Sequence, residues 1–436
     1  MTFFLAICFI VVVYIRPQDW LWDWLEFQPL LEVVFVGCLF SFVLEFNEGR
    51  IRIPKKMLQI HLIGWLLIAG AMSHIWHTYL AGLLNSWPTL FKPCFFTVFL
   101  MVVLNSVARL RSVITVIVIS ACFMAASALS MVIRGYGFGG DEPFLALNLT
   151  TGEWYPRTSY YGIFSDPNDL AQMLVTSMPL VFSMRRKRSI AGVLLGLGIL
   201  YFLMRGFMTT HSRGGMVALG VTSAVMVCML LPTRWFPTLM AIMVIGGILV
   251  APFAEGHMDE SSHDRVAFWG QANMAFKKTP IFGVGLNMIE DYIEGGRAPH
   301  NAYVLCYTEA GIFGYSVWFA LLYAGLVGVW RTRVALARPE NEDEAWLKRF
   351  SGQLLASAAG FAASDYFLGR AFVYPVFLVF TMMAVVPMLA ENMRPGLYSQ
   401  LIRPRKDLVF STILAVCSIA YIYVSILILN RVGYER

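Results

Sequence analysis

The stretch SVITVIVISACFMAASALSMVIR, residues 112–134, decides the class of fold. It carries no charged side chain until its last residue, Arg134. A membrane-spanning helix needs about 20 predominantly apolar residues to cross a hydrocarbon core roughly 30 Å thick. The stretch is therefore long and apolar enough to cross a membrane as a single helix.

The composition of the whole chain agrees with that stretch. Of its 436 residues, 58% are hydrophobic and 14% are charged, and the mean hydropathy is +0.66. A soluble domain carries about 25% charged residues, so this chain has too little polar surface to face water. The net charge of +6 does not indicate nucleic-acid binding, because the basic residues lie in short loops beside apolar runs, where they set orientation. The composition predicts an all-α polytopic membrane protein.

The seven cysteines do not form a recognisable site. They occur singly in apolar segments, with no CxxC spacing and no Cys/His cluster. That distribution supports neither a disulfide framework nor a zinc site. We interpret the cysteines as small core residues.

Apolar runs recur along the rest of the chain. They lie near 2–15, 29–45, 57–74, 88–106, 168–184, 190–208, 214–231, 235–254, 301–330, 351–366, 370–390 and 408–430. The run at 351–366 is short and rich in Gly, Ala and Ser, so it is either a tilted or a partly re-entrant span, and we predict 12–13 transmembrane helices. No basic residue precedes the first run and no small-residue cleavage site follows it, so we interpret it as a retained helix. Residues 1–254 then hold helices 1–9, residues 255–300 form a large, partly helical loop, and residues 301–436 hold helices 10–13.

The connections between the spans alternate in charge. Every even-numbered connection is basic, with Arg50, Arg52, Lys55, Lys56, Arg109, Arg111, Arg185, Arg186, Lys187, Arg188, Arg331, Arg333, Arg338, Lys348, Arg349, Arg394, Arg403, Arg405 and Lys406. Basic loops stay in the cytoplasm, which predicts a cytoplasmic N-terminus and places the odd-numbered connections on the periplasmic side. Two of these, 135–167 and 255–300, are long and contain several aromatic residues, so we expect ordered caps that carry the working site.

The first candidate segment is THSRGGMVALG, residues 210–220. It places Arg213 at the outer mouth of the eighth span, and the glycines that follow would let backbone approach a ligand closely. The N-terminal end of that helix also presents unpaired N–H groups, which suit an anion. The alternative is an interfacial arginine ahead of a small-residue helix-packing face.

The second candidate segment is SSHDRVAFWGQANMAFKKTPIFGVG, residues 261–285, which has the spacing of a short amphipathic helix. Arg265 lies in its first turn, where a cation is unfavourable unless an anion compensates for it. The alternative is an ion pair with Asp259, Glu260 or Asp264. These three acids could also hold a divalent cation, which we consider the less favoured possibility.

The third candidate segment is RAPHNAYVLCYTEAGIFG, residues 297–314. His300 immediately precedes an apolar helix, so it lies at the water boundary, and histidine is the side chain best able to take a proton near neutral pH. The alternative makes His300 or Asn301 a helix cap or an interfacial anchor. A further segment, GIFSDPNDLA at 162–171, predicts the start of a span with Asp166 or Asn168 as N-cap.

These segments together resemble the signature elements of the O-antigen ligase and polymerase superfamily of bacterial membrane glycan transferases. The matching residues are Ser212-Arg213-Gly214-Gly215, Arg265 with Trp269, His300-Asn301-Ala302-Tyr303 followed by Glu309 and Gly311, and the element Phe164 to Ala171. Outside residues 162–314 only the helix number and topology agree. The resemblance implies a C-type glycosyltransferase-like fold in the bacterial inner membrane, with the active site on the periplasmic face.

The resemblance also implies an activity and roles for individual residues. Members take a glycan from an undecaprenyl diphosphate carrier and transfer it to an acceptor hydroxyl, here a glycan, a lipid A core or a protein hydroxyl. Arg213 and Arg265 would bind the diphosphate, and His300 would serve as base or orienter for the acceptor, in a metal-independent, inverting reaction without a cofactor. Asn301, Tyr303 and Trp269 are possible further substrate contacts. Arg157 and Arg297 are further cations that could contact phosphate or sugar, with a solvated surface position as the favoured alternative for each.

Two questions stay open at this level. Polymerase and ligase activities cannot be separated by these motifs. A transporter or flippase of lipid-linked saccharides is the alternative from another class, although such proteins place ionisable residues near the membrane midplane and usually contain an inverted repeat. Within the apolar runs, Glu32 and Lys92 would pair with each other or reach the membrane boundary.

Overall fold

The computed structural model describes residues 1–21, 29–54, 56–147, 152–185, 187, 189–231, 235, 238, 239, 241 and 260–434. Its α-helices are α1 Thr2–Ile15, α2 Leu30–Asn47, α3 Leu58–Ile75, α4 Leu80–Val103, α5 Val107–Arg134, α6 Pro167–Ser177, α7 Ile190–Met208, α8 Arg213–Cys228, α9 Glu260–Lys278, α10 Ala302–Ala335, α11 Glu342–Asp365, α12 Tyr374–Met393, α13 Tyr398–Leu401 and α14 Pro404–Tyr434. An antiparallel hairpin pairs β1 Phe144–Leu147 with β2 Trp154–Arg157.

The all-α membrane fold is confirmed. Among the described residues, nine helices are long and apolar enough to cross a membrane. The expected ninth span, 235–254, lies almost entirely outside the described ranges. The total of 12–13 spans therefore stays a prediction.

Three elements differ in form from the sequence-based expectation. The expected span at 168–184 is the α-helix α6 followed by a 3-10 helix, Pro179–Ser183, because Pro179 cannot continue the α-helical hydrogen bonds. The expected short run at 351–366 is the second half of the 24-residue helix α11, so it is not short. The hairpin of β1 and β2 was not predicted.

The basic connections gather at one end of the helix bundle, which we call the basic end. Three ion pairs join them there: Lys187 with Glu342 at 2.7 Å, Arg331 with Asp407 at 2.8 Å, and Arg394 with Glu344 at 2.6 Å. The segments that resemble the glycan transferases lie at the opposite end, which we call the site end. There the Tyr160 hydroxyl donates to the Ile15 carbonyl and the Tyr161 hydroxyl accepts a hydrogen bond from Gly139 N at 2.7 Å.

Small residues let the helices under the site approach closely. A methyl group at Gly360 of α11 would overlap Thr222 Oγ1 of α8, and one at Gly206 of α7 would lie 2.6 Å from Ala125 Cβ of α5. Close backbone approach at small residues is the usual way in which membrane helices associate. The site therefore rests on a tightly packed group of helices.

The two ionisable residues in the apolar runs pair with each other. Lys92 Nζ of α4 lies 3.1 Å from Glu32 Oε1 of α2. Because an unpaired charge in an apolar run is costly, the pairing explains how both residues are tolerated.

Candidate active site

Helices α6 and α8 begin side by side, and their capping residues join them. Asp166 Oδ1 accepts a hydrogen bond from Asn168 N at 2.6 Å, so Asp166 is the N-cap of α6, one of the two caps that were predicted. Ser212 caps α8 by accepting from Gly215 N at 2.9 Å. The Ser212 hydroxyl donates in turn to Asn168 Oδ1 at 2.7 Å. The segments 162–171 and 210–220 therefore meet at one place.

Arg157 lies over this junction. Its Nε donates to the Thr210 carbonyl at 3.1 Å, and its Nη2 donates to Asn168 Oδ1 at 3.4 Å. A guanidinium with several N–H donors can make such bonds and still present others to a ligand. Arg157 is thereby fixed beside the start of α8.

The glycines of the SRGG element serve packing. A methyl group at Gly214 would lie 2.9 Å from Phe367 Cβ, and one at Gly215 would lie 2.8 Å from Ala171 Cβ and from Phe207 Cε2. The space around both glycines is thus taken by protein side chains. This favours the helix-packing interpretation for the glycines, while Arg213 itself is exposed at the first position of α8.

Trp269 of α9 holds the segment that precedes α10. Trp269 is 2% exposed, and its Nε1 donates to the Pro299 carbonyl at 2.6 Å. Its ring also packs against Tyr366 with the centroids 5.4 Å apart. Trp269 therefore fixes the backbone directly before His300.

His300 is held in a backbone conformation that few side chains adopt. Its φ is +48°, in the left-handed region, which is sparsely populated by residues other than glycine. Strained backbone of this kind persists only where the surroundings enforce it and is concentrated at functional sites. The carbonyl held by Trp269 is the immediate neighbour, so the strain is enforced locally.

Asn301 and Tyr303, at the start of α10, have hydrogen-bond partners within the protein. Asn301 is buried, and its Oδ1 accepts from Tyr303 N at 3.0 Å and from Val304 N at 3.1 Å, so it is the N-cap of α10. The Tyr303 hydroxyl donates to the Ala362 carbonyl of α11 at 2.7 Å. These bonds tie the start of α10 to the neighbouring helix.

Several charges surround the imidazole of His300, which is partly exposed at the surface. Partial burial first, and then the cations Arg265, Arg370 and Arg297, lower the pKa of His300, while Asp166 acts in the opposite direction. A lowered pKa keeps the imidazole neutral, and therefore able to accept a proton, near pH 7. Arg265, Arg297 and Arg370 are therefore within electrostatic range of His300.

Arg370 joins this group from the connection between α11 and α12. Its Nη2 lies 2.9 Å from Asp169 Oδ2, and its Nε donates to both carboxylate oxygens at 3.1 and 3.3 Å. A methyl group at the neighbouring Gly369 would lie 3.5 Å from His300 N. Sequence reasoning missed Arg370; the available signal was an arginine in an otherwise apolar connection.

A break in α10 anchors the loop between α9 and α10. Gly311 has φ +67° and ψ −177°, so the helical hydrogen bonds are interrupted there. The freed carbonyls of Thr308 and Glu309 accept from Val284 N at 2.9 Å and from Gly285 N at 3.1 Å. The buried Glu309 carboxylate faces the backbone N–H groups of residues 287–289.

In the part of the chain that the structure describes, the candidate site contains five arginines, one histidine and two aspartates, divided between the surroundings of His300 and the junction of α6 and α8. The arginines are Arg157, Arg213, Arg265, Arg297 and Arg370, and the aspartates are Asp166 and Asp169. Such an excess of guanidinium groups suits a phosphate-containing anion. Where the structure describes side chains, no three His, Cys, Asp or Glu residues are grouped as a metal site requires. The acids Asp259, Glu260 and Asp264 lie outside that part of the chain.

Comparison with protein families gives two matches. Residues 173–319 match the family described as O-antigen ligase, and residues 1–153 match the family of unknown function DUF5935. The comparison with curated proteins finds no match. The first match contains Arg213, Arg265 and His300, so the resemblance to O-antigen ligases is confirmed. Arg157, Asp169 and Arg370 lie outside it.

Proposed function

We propose that this chain, whose residues 173–319 match the O-antigen ligase family, transfers a glycan from an undecaprenyl diphosphate carrier to an acceptor hydroxyl at the periplasmic face of the inner membrane. The family match makes it a glycosyl-transferring membrane protein. The carrier, the direction of the site and the roles of individual residues are our proposal.

One observation is the main support for this proposal. Arg265, Arg297 and Arg370 come from three separate segments, and all three act electrostatically on His300. A group of cations around one neutral imidazole provides the two functions that the reaction requires, an anion site and a proton acceptor. Arg213 begins the helix whose cap contacts Asn168 of the same site.

The chemistry follows from the charges. The acceptor oxygen forms a bond to the anomeric carbon while the bond from that carbon to the diphosphate oxygen breaks, and the lipid diphosphate leaves with the electron pair. Arg213 and Arg265 bind the leaving group and stabilise its growing negative charge. His300 takes the proton of the acceptor hydroxyl. Attack opposite the leaving group inverts the anomeric centre, and no metal ion or cofactor takes part.

The residues around this core have supporting roles. Trp269 and Asn301 position the His300 backbone, and Tyr303 fixes the start of α10 against α11. We assign to Arg157, at the junction of α6 and α8, and to Arg297, near His300, contacts with the phosphates or the sugar. Acceptors consistent with this site are a growing glycan, a lipid A core and a protein hydroxyl.

The proposal is tested by genetic complementation. Deletion of the gene should remove long surface glycan chains, and the wild-type gene should restore them. The variants Arg213→Ala, Arg265→Ala and His300→Ala should reach the membrane in normal amount without restoring glycan. Restoration by all three variants would exclude this site.

The same deletion distinguishes the two reactions of the family. Acceptors that carry a single repeat unit indicate a polymerase, because the acceptor is still primed but no longer extended. Accumulated full-length chains on the lipid carrier indicate a ligase.

A further inference from the structure

The connection between α11 and α12 contributes a charged side chain to the site. Phe367 packs against Gly214 of the SRGG element, and Gly369 lies against the backbone of His300. Arg370 follows directly, and its charge acts on His300. This short segment therefore touches both halves of the candidate site.

Arg370 is held by one edge of its guanidinium group. The hydrogen bonds to Asp169 use Nε and Nη2. Since a guanidinium carries five N–H donors in a planar fork, the Nη1 side remains available for a second anion. Asp169 is 4% exposed at its side chain, whereas Arg370 is 37% exposed. The aspartate is thus the buried anchor, and the arginine is the group that reaches the site surface.

The charge around Arg370 also favours an additional anion. Arg265 and Arg297 act from two other segments on the same histidine as Arg370. A diphosphate carries enough negative charge and enough oxygen acceptors for several guanidinium groups at once.

We propose that Arg370, aligned by the buried Asp169, is a third diphosphate-binding residue of the site and binds the lipid diphosphate through the edge of its guanidinium that faces away from Asp169. This inference rests on the proposed function, because it assigns the anion that the site binds. Asp169 is a positioning residue in this arrangement and does not touch the substrate.

The competing interpretation is an ion pair that only stabilises the fold, and a double variant separates the two. Arg370→Ala alone leaves the buried Asp169 without its partner, which by itself destabilises the protein. Arg370→Ala combined with Asp169→Asn removes both charges and relieves that cost. Arg134→Ala is the matched control, because Arg134 is an exposed arginine at the end of α5 that faces the same end of the bundle.

The experiment measures binding of undecaprenyl diphosphate to the full-length protein in detergent by native mass spectrometry, with thermal unfolding measured in parallel. We expect the double variant to unfold near the wild-type temperature and to bind the lipid about tenfold more weakly. Arg370→Lys should also bind weakly, because an ammonium group lacks the second edge. Arg134→Ala should bind like the wild type.

The contrary outcomes separate this inference from the proposed function. Wild-type affinity in the double variant, together with loss of binding in Arg213→Ala and Arg265→Ala, would overturn the role of Arg370 and leave the proposed function in place. Absence of binding by the wild-type protein would overturn both.

Discussion

His300 combines a strained backbone with an imidazole surrounded by cations. Its φ of +48° is enforced from one side by the Trp269 bond to Pro299. Burial and the neighbouring arginines keep its pKa low. A neutral, oriented imidazole beside several guanidinium groups is the arrangement that a proton acceptor next to an anionic leaving group needs.

Charge-changing variants near His300 should shift the pH profile in opposite directions. Activity should fall as the pH falls through the pKa of His300, because the protonated ring cannot accept a proton. Arg297→Gln removes a cation that lowers this pKa, so the acid limb of kcat/KM should move to higher pH. Asp166→Asn removes an anion that raises the pKa of His300, so the acid limb of kcat/KM should move to lower pH. The asparagine keeps a side chain that can cap α6.

The pH profiles of purified wild type and both variants check this expectation. The quantity compared is the pH at which the acid limb of kcat/KM lies. This comparison does not depend on the maximum rate of each variant. Shifts of both variants in the same direction, or no shift in either, would show that His300 does not control the rate.

The Trp269 bond gives a second prediction. Trp269→Phe keeps an aromatic ring against Tyr366 but removes the N–H that holds the Pro299 carbonyl. We expect a loss of about 1–3 kcal/mol in the free energy of unfolding and a fall in kcat of roughly 10- to 100-fold, because the His300 backbone loses its support.

Thermal unfolding and transfer kinetics measure the two effects. Trp65→Phe is the control, because Trp65 is 52% exposed on α3. A normal kcat in Trp269→Phe would contradict the positioning role.

Sequence patterns identify candidate site residues only where these residues stand in a local motif. Arg213, Arg265 and His300 stand in recognisable segments, and Asp166 before Pro167 is a local capping signal. Arg370 has its partner 201 residues earlier in the chain, and no local pattern connects the two. The packing role of Gly214 also depends on Phe367, which only the folded chain brings close.

At the scale of elements, the break in α10 connects the site loop to the bundle. Carbonyls on one side of Gly311 accept from residues 284 and 285, and N–H groups on the other side donate to the carbonyls of Pro280 and Ile281 at 2.8 and 3.2 Å. The loop between α9 and α10 is therefore fixed through its backbone.

Gly311→Ala should disrupt this arrangement. The φ of +67° disfavours any side chain, and a methyl group would overlap the Ile281 carbonyl. We expect a loss on the order of 2–4 kcal/mol in the free energy of unfolding, together with loss of transfer activity.

Unfolding in detergent measures the effect, with Gly198→Ala as the control. A methyl group at Gly198 of α7 meets nothing within 4 Å, so that variant should be neutral or gain up to about 1 kcal/mol. Equal stability of the two variants would contradict the role assigned to the break.

The helices follow from hydrophobic periodicity, but their irregularities do not. Run length predicts most bounds within a few residues, because the hydrocarbon thickness fixes the length. The full extent of α11 was missed, since its first half carries charges that belong to the basic end. The 3-10 turn after α6 depends on Pro179, and the pairing of β1 with β2 depends on contacts across their loop.

At the scale of the whole molecule, the two ends of the bundle differ in how their charged side chains are arranged. The basic end is held by ion pairs between connections. The site end carries the excess of guanidinium groups around His300. The separation of these two ends could be predicted from the sequence, whereas the grouping of Arg370 with Asp169 and His300 required the folded chain.

The orientation of these ends gives a further prediction. In a cysteine-free background, Glu294→Cys at the site end should react with a membrane-impermeant maleimide in intact spheroplasts, whereas Gln400→Cys at the basic end should react only after permeabilisation. Both positions are exposed. The reverse pattern would place the site in the cytoplasm and exclude a periplasmic reaction.

Glycan transfer by the purified chain in liposomes tests the central claim most directly. With an undecaprenyl diphosphate-linked glycan as donor, the wild type should release undecaprenyl diphosphate and form an inverted glycosidic bond to the acceptor. Arg213→Ala, Arg265→Ala and His300→Ala should each lower that rate by at least about 100-fold, while Arg134→Ala should not. Wild-type release of undecaprenyl diphosphate by all three variants would contradict the account.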